Sequence, residues 1–526
     1  MDKQEMTAER IQTEYQKGVS YNQGLNLYDD VEICERFYEG RQWEGVKTKQ
    51  VRPLTLNIIR QITNYKVAQI VSDDVAQEIE PFLPDEAAEE AALVLEQSIE
   101  RVVERQKIKD MHRELLRDAY IDGDVALYYW FDADKHTGLP GVQGEIQAEM
   151  LMNTNVLFGN PASRRVQAQP YIIVVQRLPV GEIRRMAKQA GCAEWEEIQG
   201  ENEGLYKGDS EQTEGDALGT LLTRFWKEGG NVHFCKACGR VMVQKPVQTD
   251  MTLYPIAYMS WSPRKNSYHG VLENVELINA QISINKQYTA LAIQLNNNAL
   301  PKLVYDKGKF PDGWDANATT IAVRGDPTQA LTGVAGSMPL PTDATGITQS
   351  LMETIRNVAG ANDAALGNIK NPDNTSAIVA VQQATAAPLS LTRLAYYQFI
   401  EDYTRVLIDM MHAYYGLRQV KITDKATNEL GESEERIGVA EYDFSELPVE
   451  ALDLKINVGA ASYWAQTLQI TTLDNMMRAN IIPDASEYLE RVPDGMVRDK
   501  GGLMDAIRRR QEAEMQMSGL QGGVMG

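Results

Sequence analysis

The longest regular pattern of apolar and polar positions in the chain lies between Gly270 and Asn298. Its apolar residues recur at steps of seven, four, three and four, which places them on one stripe of a helix: Leu277, Ile284, Tyr288, Leu291 and Leu295. Polar residues fall on the opposite side: Asn279, Ser283, Lys286 and Asn297. The helix is predicted to end before Pro301, which has no amide donor. Taken alone, the pattern is typical of a core helix.

Helical periodicity recurs on both sides of this segment. It predicts one helix over 7–39 that ends at Gly40, one that starts after Pro53 with Leu56 among its apolar positions, and one over 85–118 with Asp85 as N-cap. Further helices are predicted at 182–189 and 347–359, with a long helix over 375–415 that Pro388 should kink.

Strands are predicted where aromatic and β-branched residues cluster. The segments are 124–132, 155–159, 171–178, 220–228, 231–235, 240–246, 302–306, 319–323 and 451–459. Gly229-Gly230 is expected to form a turn, and the acidic, Gly-rich stretch 199–216 a surface loop. Separate helical and strand segments predict an α+β fold.

The formal net charge of −22 argues against a protein whose main function is tight DNA binding, because such binding needs Lys and Arg side chains beside the phosphates. Four cysteines in 526 residues do not form a disulfide framework. The charged N-terminus lacks a secretory pattern, and no run of 18 apolar residues occurs, so a cytoplasmic chain without a membrane span is expected.

One motif resembles a metal site. Cys235-Lys-Ala-Cys238, with His233 before it, has the spacing of a zinc knuckle. A structural zinc site requires four ligands, and the other cysteines, Cys34 and Cys192, are distant. The alternative is a plain turn with two thiols. No GxxxxGK[ST], GxGxxG, GxSxG or HExxH sequence occurs, which weakens an enzymatic function.

The order of segments is more informative. A long helix leads into a Pro/Gly-rich unit, then a second helix, a Gly/Asn-rich loop and another long helix. The small unit should lie at the far end of a helical pair, where it buries little of its own surface. Such a tip is suited to docking or to interlocking of subunits.

Four stretches in this order resemble portal proteins of tailed bacteriophages. They are RFYEGRQWEG with NIIRQITNYKVAQI, NVLFGNP with QPYIIV, the GVLEN…QISINK helix, and NVGAASYWAQ…LERVPDG. The last is similar to portals from phages of Gram-positive hosts. The CKACG hairpin and the 199–216 stretch depart from the family pattern.

The resemblance implies a portal-type ring subunit with named parts. Residues 1–269, with 417–458 returning to them, would form an α/β wing. Residues 270–298 and 347–359 would be stem helices, 299–346 a small α/β clip, and 360–374 a tunnel loop. Residues 375–416 would be a long kinked helix, and 459–526 a helical crown with a flexible tail.

The resemblance also implies sites, without catalysis or cofactors. The apolar stripe defined above would provide the packing contacts of the stem. The clip would dock the packaging motor through Lys302, Lys307, Lys309, Trp314 and Arg324. The tunnel loop would face DNA through Asn368, Lys370, Asn371 and Asn374.

The implied partners follow from a place at one capsid vertex of the virion, after assembly in the host cytoplasm. They are further copies in a ring, typically of twelve subunits, double-stranded DNA passing through its channel, the terminase large subunit, head-completion or adaptor proteins, and major capsid and scaffolding proteins. No membrane is involved.

Two alternatives remain open at this level: a zinc-containing nucleic-acid-processing enzyme, and another structural virion component. If the long helix is a stem helix, Asp at Ile284 or Leu291 should abolish the ring while the strands of the wing stay folded.

Overall fold

The structure is a computed structural model that describes most of the chain. It covers residues 6–47, 53–71, 75–81, 86–136, 142–200, 217–299, 302–306, 308–309, 323–326, 328, 331–335, 342–361, 387–427, 433–447, 452–458, 470, 473, 476–478, 488–489 and 491–492. Helices and strands occur in separate runs along the chain, which confirms the α+β class.

The chain divides into two compact units. One comprises 1–69 and 79–454, and the other 70–78 and 455–526. In the second unit, the described residues Leu473 and Val492 are buried together, with Tyr488 packed against them. The features described below belong to the first unit, except for residues 70–71, 75–78 and 455–458.

The first helices are shorter than their patterns predict. The helices are α1 (Ala8–Gly24), α2 (Leu27–Glu39), α3 (Ile58–Val71), α4 (Glu86–Arg105) and α5 (Ile108–Asp122). Asn26 separates α1 from α2 and Lys107 separates α4 from α5, both at positive φ. A left-handed residue interrupts a helix without disturbing the apolar spacing on either side. The predictions of single helices over 7–39 and 85–118 were therefore wrong.

Two details of these helices also differ from expectation. Leu56 lies outside α3 and is 40% exposed, so it is not an apolar position of that helix. Gly40 ends α2 at φ 89°, as predicted. Asp85, the predicted N-cap of α4, lies outside the described residues.

A five-stranded antiparallel sheet carries the predicted strands of the middle region. Its order is β4 (Val156–Phe158), β5 (Ile172–Pro179), β6 (Leu218–Glu228), β7 (Asn231–Cys238) and β8 (Val241–Gln248). The turn between β6 and β7 uses Gly229 and Gly230 at positive φ, as predicted. Both faces of this sheet are covered, since α1 packs on one and α6 (Val180–Gln189) on the other.

A three-stranded sheet, which the sequence predicted only in part, lies next in the body. Strand β2 (Asp124–His136) pairs with β3 (Gln143–Leu151) and with β9 (Ile256–Ser260), both antiparallel. Helix α9 (Ser390–Tyr414) packs against this sheet. The Asp409 carboxylate attaches α9 to the segment before β9, because it accepts hydrogen bonds from the backbone amides of Thr252 and Leu253, each at 2.9 Å.

The remaining elements complete the chain order. They are β1 (Val75–Pro81), α7 (Glu273–Ala299), β10 (Lys302–Tyr305), β11 (Leu331–Ala335), α8 (Thr342–Val358), β12 (Leu417–Thr427), β13 (Ser433–Asp443) and β14 (Leu452–Val458). Strand β1 pairs with β14, β10 with β11, and β12 with β13. Gly416, at φ 54°, follows α9 as predicted.

The described part of the long helix predicted over 375–415 starts at Ser390, later than expected. Pro388 lies in a single 3-10 turn over Ala387–Leu389 that immediately precedes α9, where a missing amide donor breaks no α-helical hydrogen bond. The expected residues 375–386 lie outside the described residues, as do 201–216 of the predicted acidic loop. In the part of the chain that the structure describes, no helix has both the length and the apolarity to cross a bilayer.

Candidate functional site: the helical pair and its strand tip

The first half of α7 is fastened to the body by a polar stripe. Gln281 accepts hydrogen bonds from the backbone amides of Ile58, at 3.0 Å, and Ile59, at 3.4 Å, and donates to the carbonyl of Leu56 at 2.6 Å. Asn285 accepts from the Leu56 amide at 3.1 Å. Buried backbone groups need such partners. Side chains of α7 therefore provide the hydrogen bonds that a neighbouring strand would otherwise make with the non-helical segment before α3.

This stripe continues along the helix. Thr289 accepts from the amide of Leu54 at 3.1 Å, and Asn285 also donates to the side chain of Gln42. The exposed fractions are 1% for Gln281 and 2% for Asn285. Residues 281, 285 and 289 are spaced by four, so one helix face carries all three. This seam was not predicted from the sequence, although the i, i+4, i+8 spacing of amide and hydroxyl side chains is a readable signal.

The residues before α7 are fixed by a buried network. The His269 imidazole Nδ1 lies 3.1 Å and 3.2 Å from the two carboxylate oxygens of Asp124, and its Nε2 lies 3.0 Å from Asn22 Oδ1. Asp124 also accepts the amide of Gly270 at 2.7 Å. A side chain at Gly270 would collide with the carbonyl oxygen of Gly123, so only glycine permits this approach. The entry into α7 is thereby joined to the start of β2.

Helices α2 and α5 support α7 and hold carboxylates between them. Burial, and then the charge of Asp118, raises the pKa of Glu35 to about 7. Burial, reinforced by Glu35, raises the pKa of Asp122 well above its usual range. Arg117 pairs with Asp118 at 2.6 Å. Burial thus disfavours the ionised forms of Glu35 on α2 and Asp122 on α5, the two helices that contact α7.

Along α7 the predicted apolar stripe passes from the body to the surface. Leu277 is 9% exposed and Ile284 is 0% exposed, whereas Leu295 is 54% exposed. Tyr288 and Leu291 are half-buried. Of the predicted polar positions, Asn279, Ser283 and Lys286 are exposed, while the side chain of Asn297 lies outside the described residues. The inner half of the stripe is therefore core, and the outer half is available for contact with other molecules.

Helix α8 packs on α7 through a few defined contacts. Thr348 donates to Gln287 Oε1 at 2.8 Å, and the Tyr288 hydroxyl lies 3.9 Å from Met352 Sδ. Other apolar side chains of α8 remain in water: Ile347 is 59% exposed and Val358 is 77% exposed. Helix α8 begins five residues earlier than the predicted 347.

The two helices are joined through a small strand pair. Strand β10 pairs with β11, from Lys302 opposite Ala335 to Tyr305 opposite Leu331. The described partner of β10 is β11, which was not predicted. Of the strand predicted at 319–323, residues 319–322 lie outside the described residues, and Val323 lies outside any strand. The sequence of β11, LTGVA, contains a glycine and has no regular alternation, so only tertiary pairing identified this strand.

Two of the predicted clip residues are brought together at this tip. The backbone carbonyl of Lys309 accepts the amide of Arg324 at 2.9 Å, and Arg324 is exposed. Hydrogen bonds from Thr328, with a smaller contribution from Lys309, lower the pKa of the exposed Asp326. The structure describes the backbone of Lys302 in β10 but not its side chain. Lys307 and Trp314, together with tunnel-loop residues Asn368, Lys370, Asn371 and Asn374, lie outside the described residues.

The two thiols of the CKACG hairpin lie on opposite faces of the sheet. Cys235 packs with Ile11 and Leu222 beneath α1, and Cys238 packs with Ile183 and Val241 beneath α6. Burial raises the pKa of Cys235 to about 12, which disfavours the thiolate that binds zinc. Among the residues that are described, no cluster of His, Cys, Asp and Glu has the geometry to hold a metal ion. The thiols serve as small core side chains.

The body, the anchored helix pair and the exposed tip together define a structural assembly subunit. A model of the phage P22-like portal protein family matches residues 20–516. The chain belongs to this family: it is a bacteriophage portal protein, a structural component of a capsid vertex with a part in DNA packaging. The portal resemblance in the sequence is thereby confirmed, while the Gram-positive host type stays a prediction. No curated protein matches the chain.

Replacing Gln281 by leucine tests the polar seam. Gln281→Leu leaves the Ile58 amide and the Leu56 carbonyl without their side-chain partner, at a cost of about 1–3 kcal/mol in the free energy of unfolding. Urea unfolding followed by circular dichroism measures the change. The matched control is Asn279→Leu, at an exposed position of the same helix, which should change stability by less than about 0.5 kcal/mol. Equal effects of the two changes would contradict the anchoring role.

The raised pKa of Glu35 makes stability depend on pH. An unfolded glutamate titrates near pH 4.3, so between about 4.3 and about 7 the folded chain holds more protons, and its stability falls as pH rises. Glu35→Gln should therefore stabilise the protein by about 1–2 kcal/mol at pH 8, after allowance for partial exposure, and have little effect near pH 4. Thermal unfolding across this range measures the difference. Asp29→Asn, which removes an exposed carboxylate from the same helix, is the control.

Proposed function

We propose that this portal protein forms a ring-shaped channel through which DNA enters and leaves the capsid. The observation that carries the proposal is the graded exposure of α7 together with the exposed apolar side chains of α8. The inner half of α7 is buried in the protomer and its outer Leu295 is 54% exposed, while Ile347 and Val358 of α8 are each more than half exposed. Exposed apolar side chains on a firmly held helix pair are suited to contacts between neighbouring subunits, and identical contacts repeated head to tail close a ring.

Within this proposal the parts have separate tasks. Residues 1–269 and 417–458 form the wing, 270–298 and 347–359 the stem, and 299–346 the clip. Residues 360–374 form the tunnel loop, 375–416 the long helix, and 459–526 the crown and tail. The anchored seam at Gln281 and Asn285 supports this division, because it holds the stem rigidly against the wing.

The strand tip is the proposed docking surface for the terminase large subunit during packaging and for head-completion proteins afterwards. Lys309 and Arg324 lie together there, and Asp306 and Asp326 are exposed beside them. Mixed charge of this kind steers a protein partner more readily than it clamps phosphate. Capsid and scaffolding proteins would contact the wing of the assembled ring, which forms in the host cytoplasm.

The acidic balance of the chain fits a conduit. A channel must release DNA as readily as it admits it, and each neutralised phosphate would add salt-dependent grip. With a net charge of −22, a ring of these chains offers little of that grip. A zinc-containing nucleic-acid-processing enzyme is disfavoured by the opposed thiols of Cys235 and Cys238.

A charge introduced at either end of the apolar stripe distinguishes core from interface. Leu295→Asp should prevent ring formation and leave the body folded, because this side chain is 54% exposed. Ile284→Asp should instead unfold the protomer, because an unpaired charge in the core costs several kcal/mol, typically more than about 4. The sequence-based expectation that Asp at Ile284 spares the protomer is therefore revised.

Sedimentation velocity and circular dichroism on the same samples separate the two effects. Asn279→Asp, at an exposed polar position of α7, is the control and should assemble normally. Ring formation by Leu295→Asp would contradict the stem assignment. Direct counting of subunits by electron microscopy tests the ring itself.

The tunnel loop has one cation, Lys370, among asparagines and glycines. In a ring it would contribute one positive charge per subunit at the constriction. Lys370→Ala should leave ring assembly unchanged and reduce packaged or retained DNA, measured by nuclease protection of filled heads. Asn362→Ala, in the same loop but not among the residues expected to face DNA, is the matched control. Normal packaging by the Lys370→Ala ring would exclude this role.

A further inference from the structure

A basic groove lies on the body. Its volume is about 980 Å³, and it is bounded by the loop 160–168, the turn 263–267 and α9. Arg164, Arg165, Arg264, Lys265 and Arg405 line it, against a single acid, Asp402. In a chain with a net charge of −22, this concentration of cations is a local reversal of sign.

Four of these five cations form no ion pair with the described residues. Arg405 pairs with its own helix neighbour Glu401 at 2.8 Å. Arg164, Arg165, Arg264 and Lys265 form no ion pair with any carboxylate in the described part of the chain. Arg164, Arg165 and Lys265 are exposed. Their charge is therefore available to an acidic partner.

The two basic loops are held in fixed positions. The Tyr268 amide donates to the Pro161 carbonyl at 2.9 Å, which joins one loop to the other, and the Tyr21 hydroxyl donates to Ser267 Oγ at 2.8 Å. Gln169 closes the loop 160–168 by accepting from the Asn160 amide, at 2.9 Å, and donating to the Ser163 carbonyl, at 2.7 Å. A surface ordered before binding loses little conformational entropy when a partner arrives.

The groove continues into an exposed apolar patch on α9. Ala395, Gln398 and Asp402 line the groove. Leu391 and Leu394 lie one turn before Ala395 and Gln398 on the same helix face. Their side chains are 76% and 62% exposed. A partner that covers the whole surface must therefore offer both acidic and apolar groups.

This combination separates a protein partner from DNA. A phosphate backbone would leave the two leucines in water and would be repelled by Asp402 and Glu401. An acidic protein surface with apolar residues satisfies all of these features. The most abundant protein of that kind beside a ring subunit is its neighbour, because each copy carries the same excess of acid.

We infer that the groove formed by Arg164, Arg264 and Lys265, with Leu391 and Leu394 beside it, receives an acidic segment of the adjacent subunit in the ring. The inference rests on the proposed ring. It gives that ring a heterologous, charge-complementary contact on the body, separate from the stem. Such a contact offsets the repulsion that the net charge would otherwise produce between neighbours.

Reversing two groove charges tests the inference. Arg164→Glu with Lys265→Glu should raise the protein concentration needed for half-assembly by at least about tenfold, with an unchanged unfolding temperature. The matched control is Arg240→Glu with Lys245→Glu, which makes the same change in net charge at exposed positions on the β7–β8 turn and on β8. Sedimentation velocity measures assembly, and mobility of a short DNA duplex on a gel measures DNA binding.

Two further measurements do not depend on the folding of that variant. Rings of the unaltered chain should dissociate as salt rises from about 0.1 M to about 1 M, because the screening length falls from about 10 Å to about 3 Å. Leu391→Ser with Leu394→Ser should also weaken assembly.

The outcomes are distinguishable. Weakened assembly of the groove variants, with normal assembly of the control, supports the interface. Normal rings from the groove variants overturn it, and loss of duplex binding by those rings would assign the groove to DNA instead. A monomeric unaltered chain would overturn the proposed ring and this interface together.

Discussion

The structure depends on one constraint, which is that backbone groups of the non-helical segment before α3 need hydrogen-bond partners, and no described strand pairs with this segment. Helix α7 supplies the missing partners through Gln281, Asn285 and Thr289. Unmet backbone groups in a core are costly, so the seam fixes the rotation and the axial position of α7 at once. A helix that was only apolar at this contact could slide or turn with little penalty.

The position of α7 has consequences at both of its ends. Toward the body, the His269–Asp124 network and the close approach of Gly270 to Gly123 set the direction in which the helix leaves. Toward the tip, the same rigid helix carries its apolar stripe out of the core, from the buried Ile284 to the exposed Leu295. One element thereby serves as core in its first half and as a presented surface in its second.

Charge is distributed with a similar division. Burial raises the pKa values of Glu35 on α2 and Asp122 on α5, whereas Arg164, Arg165 and Lys265 beside the groove are exposed and form no ion pair with the described residues. The opposed thiols of Cys235 and Cys238 show how local spacing can mislead. Two residues three apart on a strand point to opposite faces, so a motif that binds zinc in a turn becomes core filling in a sheet.

The sequence by itself determined the α+β class, the strands of the five-stranded sheet, the long helix and its partner, and the family to which the chain belongs. These follow from local periodicity and from the order of segments, which a single chain displays directly. Only the tertiary structure decided where the apolar stripe of α7 stops being core, which strand pairs with β10, and that the polar seam exists. Each of these depends on residues far apart in the chain that meet only after folding: Leu56 with Asn285, Tyr305 with Leu331, and His269 with Asp124. Periodicity within one segment contains no information about the partner on which that segment will pack.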